Sequence, residues 1–438
     1  MRILILSNYP WKNNNSFGNT YSGIFKNVPN TEIAHIYMFD GLPDVIPNVV
    51  RYYHISEYAV MQSVIKRKKK VGQEVYAEDN TKVKDSQISN ASKKTPYMKL
   101  LSFGKRHHWN IMFLAREFAW KFGKVNYDGL MDFIDDFKPD LFFLPYSNVF
   151  YTNRIALYIK KHYSFPMVME MAMDHYTLNR VSWNPFFWID RLTKRRMIRR
   201  LANQSELLFV ISQKLKKELE KDLNIPCIVL YKIPDMGRSY MPYLPNQGKL
   251  KFLFTGNIYA NRWKSLAMLV DSLKKERIGV LDIYTATPIS RSMARALNIS
   301  GVSTLHSPIS QPEVLKLQNE SDVLVHAEAF DRYNKSLVRC AISTKIMDYL
   351  CAGRCILAIG PSDISSIEYL VENDLALIAS TKEQLDSIVN IIKNDKAVID
   401  NYSKRGRGYV KDNLDETSIR AEFYNVLQQV IDNYKLKS

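Results

Sequence analysis

CAISTKIMDYLCAGRCILAIGPSDISSIEYL, residues 340–370, reads as a helix, a glycine, an apolar strand and a second helix with a polar start. Ser343, Thr344 and Lys345 fall together where the first helix begins. Ser343 or Thr344 can cap it. The unpaired N–H groups of a first turn, with hydroxyls and an ammonium beside them, favour a phosphate. Asp348 lies one turn on, on the side of Thr344 and Lys345, where a carboxylate can accept hydrogen bonds from ribose hydroxyls. The plainer alternative is a capped surface helix whose Lys345 and Asp348 are merely solvated.

The same rhythm extends on both sides. Strands are expected at 251–256, 279–286, 302–306, 322–327, 355–360 and 375–379, with helical stretches such as 265–276 and 290–298 between them. Ser310 with Glu313, and Ser380 with Glu383, have the spacing of capping boxes. Alternation of this kind implies a parallel sheet covered by helices on both faces, with a ligand site at the C-terminal strand ends. The first half is also α/β: RILILSN opens it, and YDGLMDFIDDFKPDLFFLPY (127–146), FPMVMEMAM (165–173) and SELLFVISQKLKKELEKDLN (205–224) continue it. These readings divide the chain into an N-terminal domain (1–240), a linker (241–250), a C-terminal domain (251–415) and an amphipathic final helix (416–438). Residues 66–95, polar and poor in large apolar side chains, read as a mobile insertion.

The 438 residues are 46% hydrophobic, enough for two or three packed domains. No segment approaches the roughly 20 apolar residues that cross a bilayer, and the start is too short for a signal-peptide core, so a cytoplasmic protein is expected. Cys227, Cys340, Cys351 and Cys355 form no metal pattern and are expected as packed thiols. The net charge of +17 favours anionic partners, but it is concentrated in KRKKK (66–70) and RLTKRRMIRR (191–200), and no nucleic-acid-binding motif accompanies it.

Two further clusters bear chemistry. In FTGNIYANRWKSL (254–266), Gly256 lets backbone approach a ligand, Asn257 follows it, and Arg262 and Lys264 sit at a helix start. In MEMAMDHY (169–176), Asp174 and His175 end an apolar strand, where an acid and an imidazole can handle protons; a structural Asp turn beside an ordinary His is the alternative. The loop after the first strand is rich in Asn, Ser and Gly but lacks GxGxxG, and no metal motif is present.

TGNIYANRWKSL, STKIMDYLCAGRCILAIGP, FKPDLFF and LLFVISQKLKKEL together resemble the GT-B glycosyltransferases, in particular the retaining family 4. The resemblance implies two Rossmann-like domains facing a cleft, with the C-terminal helix crossing back to the first. It implies an acceptor-binding N-terminal half and a C-terminal half that binds a nucleotide-diphospho-sugar at Gly256, Asn257, Arg262, Lys264, Ser343, Thr344, Lys345 and Asp348. Arg262 or Lys264 would neutralise the diphosphate, Gly18 matches the glycine-rich first loop, and Asp174 or His175 falls near the family's catalytic position. Asp348 matches the second acid of the Glu-x7-Glu motif. The first falls on Cys340, a departure for which Glu328 or Asp331 is a substitute. The implied reaction is sugar transfer to a glycan or lipid-linked acceptor of surface polysaccharide biosynthesis, retaining, with neither metal nor cofactor. A sugar-nucleotide epimerase and a non-catalytic partner subunit share the fold and are the alternatives.

Finally, NPFFWIDRLTKRRMIRRL (184–201) sets Phe186, Phe187, Trp188 and Ile189 before a dense basic run. That arrangement suits peripheral docking on an anionic membrane; a packed helix with a solvated basic face is the alternative.

Overall fold

The structure, a computed structural model, describes residues 1–12, 16–25, 30–65, 70–77, 116–117, 120–233, 242–243 and 248–437. The chain forms two compact units: Met1–Val210, Lys216–Leu230 and Glu422–Ser438 make the first, Ile211–Leu215 and Tyr231–Ala421 the second.

Among the described residues the first unit holds eight strands: β1 (Arg2–Ser7), β2 (Glu32–Tyr37), β3 (Val49–His54), β4 (Gln73–Val75), β5 (Leu141–Pro145), β6 (Met167–Met171), β7 (Leu207–Val210) and β8 (Cys227–Val229). Their order is β4-β3-β2-β1-β5-β6-β7-β8. Only the β3–β4 pair is antiparallel. Strand β4 lies within the expected insertion and forms the sheet edge, where Arg51 of β3 gives Glu74 two hydrogen bonds of 2.7 and 2.8 Å. Residues 78–95 and Lys66–Lys69 of the basic run lie outside the described residues. Helix Tyr127–Phe137 shows why the sequence was readable here. Asn126 caps it, Leu130, Phe133, Ile134 and Phe137 form its buried stripe, and Lys138 ends it in the left-handed region before Pro139.

The second unit holds β9 (Leu250–Thr255), β10 (Gly279–Tyr284), β11 (Ser303–His306), β12 (Val323–Ala327), β13 (Cys355–Ile359) and β14 (Leu377–Ala379) in the order β11-β10-β9-β12-β13-β14, all parallel. Continuous apolar runs are needed because both faces are covered. Phe252, Phe254, Val323 and Val325 pack on one face against Leu266, Leu269 and Leu385. Leu253, Leu324, Ile356 and Ala358 pack on the other against Ile346, Leu350 and Ile367. The Ser310–Glu313 capping box is present in full. The second box is displaced by one residue: Thr381 is the cap, bonding Gln384 N–H, and Gln384 reaches back to the Ser380 N–H.

The last helix, Glu416–Lys437, begins in the second unit and ends in the first. Its Phe423, Leu427 and Ile431 are buried, and the Phe423 ring lies 5.7, 6.0 and 5.2 Å from those of Phe25, Phe143 and Phe209. The four cysteines are buried and free. Among the described residues, no helix is long and apolar enough to cross a membrane.

Candidate functional site

From β9 the chain turns to β10 on one side, and later returns through β12 on the other. Helices leaving these strands diverge at that point, which opens a crevice at the C-terminal strand ends. A pocket of about 400 Å3 lies there, lined by Phe254, Thr255 and Gly256 of the β9 end, Tyr284 and Thr285 of the β10 end, and His326, Ala327 and Glu328 of the β12 end. Ser343, Lys345 and Asp348 of helix Thr344–Ala352 complete it.

Lys345 is the central cation. Its ammonium passes so close over Gly256, at φ +130°, that a Cβ there would collide with it. It lies 4.8 Å from the Phe254 ring centroid, and among the described residues it forms no hydrogen bond or ion pair. Burial, helped by the Arg262 charge, pushes its pKa down to about 8. Ser343 occupies the N-cap position, but its hydroxyl makes no cap bond, contrary to the expected role. Its own N–H is given to Ser366 Oγ at 3.1 Å. The helix start therefore keeps donors uncommitted at the pocket wall.

Arg262 also lines the pocket, but its guanidinium forks onto Glu328 at 2.8 and 3.0 Å, and the Glu328 side chain is only 5% exposed. Of the two acids weighed for the position that Cys340 leaves open, Glu328 faces the pocket. Asp331 instead caps helix Arg332–Val338 and bonds Asn261. Cys340 is buried, and its carbonyl accepts from Ser212. Asn257 lines the pocket; Lys264 is exposed and does not, and neither does Thr344.

Sequence reading missed three residues. Lys232 pairs with Asp348 at 2.7 Å, across 116 positions. His326 and Gln318 line the pocket, are almost wholly buried, and each keeps one side-chain atom, Nε2 and Oε1, without a partner. Burial pushes the imidazole down to about 4, so it is neutral, and its Nε2 lies 3.9 Å from Glu328. Buried polar atoms left open on a pocket wall are characteristic of ligand recognition. The one signal was a lone His in the otherwise continuous apolar run VLVHA of β12.

The remaining residues lie in the first unit. Gly18 is buried in helix Ser16–Phe25, where a Cβ would strike the Lys12 carbonyl. Asp174 accepts from the Tyr176 and Thr177 N–H groups at 3.0 and 2.8 Å, from the Thr177 hydroxyl, and from Arg191 at 3.3 Å. Burial alone would raise its pKa; these partners hold it below the usual aspartate value. That geometry is the Asp turn set above beside the catalytic reading. His175 lies 5.6 Å from the Tyr146 ring, and burial with Lys194 and Arg191 nearby pushes it down to about 3.

No family model matches the sequence, and no curated protein does. Solved structures do. HepE of Anabaena, solved with UDP and glucose, superposes with a TM-score of 0.59 over 98% of this chain and 100% of its own, at 11% identity. WaaG, a glycosyltransferase involved in lipopolysaccharide biosynthesis, gives 0.55 over 97% and 99%, at 12% identity. The chain has the GT-B fold. TarM of S. aureus gives 0.51 at 11% identity, over 69% of this chain; this chain spans 58% of TarM.

Proposed function

We propose that the chain is a glycosyltransferase that moves a sugar from a nucleotide-diphospho-sugar to a glycan or lipid-linked acceptor, as in the building of surface polysaccharides. The observation that carries this reading is the unpartnered Lys345 ammonium above Gly256, at the switch point of a GT-B sheet. A diphosphate fits the chemistry of Lys345, the Ser343 hydroxyl and the adjoining helix start. The apolar wall of Pro308, Ile309 and Val314 suits a flat base. Glu328 and His326 suit sugar hydroxyls, the one accepting and the other offering its open Nε2. In transfer, the departing diphosphate gains charge, and Lys345 with Arg262 offsets it. In this reading His175, on the turn that Asp174 holds, is the group assigned to act on the acceptor.

A panel of UDP-, GDP- and ADP-sugars tested by thermal shift and calorimetry, followed by transfer of labelled sugar, tests the reading. At least one donor should raise the melting temperature, and Lys345→Ala should weaken its binding about tenfold or more, as loss of a charge-assisted bond does. Unchanged binding in that variant would sink the assignment.

A further inference from the structure

Helix Pro185–Ala202 packs one face inward through Arg191, Met197, Ile198, Leu201 and Ala202. Phe186, Ile189, Thr193, Arg196 and Arg200, spaced three and four apart, form a stripe on the other face, and all five are exposed. Its first half is apolar and its second half cationic. Just before it, Trp183 is entirely exposed, at 103%. This exposure is held in place. Ser182 O accepts from the Trp188 indole at 2.8 Å, and the Asn184 side chain caps the helix at the Phe186 N–H. Both neighbours of Trp183 are thus hydrogen-bonded, and its own ring faces solvent. Val181 and Leu192 add exposed apolar surface.

The cations divide into two sets. Arg195 and Arg199 are committed to Asp222 and Tyr176. Arg196 and Arg200 bond no described residue, and neither does Lys161, which shares with Arg200, Asn203 and Gln204 a shallow pocket of about 370 Å3. The one acid in the first half of the helix, Asp190, is paired with Lys194.

We infer that this face of the first unit docks on an anionic lipid bilayer, with Trp183, Phe186 and Ile189 entering the interface and Arg196, Arg200 and Lys161 on the headgroups. Charge selects the occupant. A second copy of the chain would set the unpaired cations against one another, and a soluble polyanion would leave the aromatic end in water. A bilayer surface satisfies both halves at once. The inference does not depend on the reaction proposed above.

Flotation of the intact protein with phosphatidylcholine vesicles, with and without phosphatidylglycerol, tests it. Binding should require the anionic lipid and fall as salt screens it. Arg196→Glu with Arg200→Glu should lower partitioning about tenfold or more. Trp183→Ala with Phe186→Ala should do the same at every salt concentration, by removing buried apolar area. Both variants should keep the wild-type melting temperature and nucleotide binding, which separates this result from failure of the transferase reading. No flotation at low salt, equal binding to neutral vesicles, or unaltered binding of both variants overturns the inference. So does sedimentation showing a dimer that Trp183→Ala with Phe186→Ala dissociates while vesicles go unbound.

Discussion

Lys345 holds its charge in a setting that opposes it, since burial and Arg262 outweigh the pull of Glu328 and Asp348. Its pKa is about 8 in the folded chain against 10.5 when free, so between those values the unfolded chain binds more protons. Stability should therefore rise with pH across that window, and Lys345→Met should abolish the rise. At pH 7 the ligand-free variant should melt about 2–4 °C higher, as about 1 kcal/mol gives in a domain of this size. Nucleotide-diphosphate affinity of the wild type should fall as pH passes 8, and that of Lys345→Met should not. Calorimetry over pH 6.5–9.5 reads both. A second prediction concerns Glu328→Gln. Released from its carboxylate, Arg262 should bind UDP as well or more tightly, while the variant discriminates less between UDP and a UDP-sugar; an equal loss for both ligands would contradict this. Lys345 and Arg262 stood out in the sequence as candidates because each falls in the first turn of a recognisable helix. The sequence could not supply the pairs Arg262–Glu328 and Lys232–Asp348, because partners 66 and 116 positions apart leave no local trace.

Among the elements, the turn at Asp174 and helix Pro185–Ala202 act as one piece. Arg191 gives its Nε–H to Thr177 O at 2.7 Å and another N–H to Asp174 O at 3.2 Å, both from inside the protein. Arg191→Met leaves the Asp174 charge buried and should cost about 3 kcal/mol in chemical denaturation. Because Asp174 has a lowered pKa, its contribution is present above the unfolded value and is lost as pH falls through the folded one. Acid below pH ~4 should thus narrow the gap between wild type and Arg191→Met. Helix and strand identities were legible wherever apolar period and caps agreed, as at Asn126 and Ser310. At Ser380 two adjacent residues offered equivalent hydroxyls, and in the fold Thr381 takes the cap. At Phe187 and Trp188 the sequence showed an aromatic cluster but not its sidedness. The Trp188 indole turns toward Ser182, and the fully exposed ring belongs to Trp183.

For the whole molecule, the parallel order of both sheets follows from the strand–helix alternation, and the two-unit architecture was legible at that level. What the alternation does not encode is the membership of the last helix. Phe423 is 3% exposed and belongs to the core of the first unit, so Phe423→Ala should destabilise that unit by about 3–5 kcal/mol. A nucleotide that binds the second unit should leave this loss uncorrected, and differential calorimetry with and without ligand separates the two. The same feature bears on synthesis. The first unit is translated to Leu230 long before Glu422, and at 5–20 residues per second the interval is about 10–40 s. Throughout it, Phe25, Phe143 and Phe209 lack the ring that covers them, while the second unit emerges and folds. Ribosome-bound chains halted before Phe423 should accordingly stay open to protease in their first half and recruit holdase chaperones, and those halted well beyond Ile431 should not.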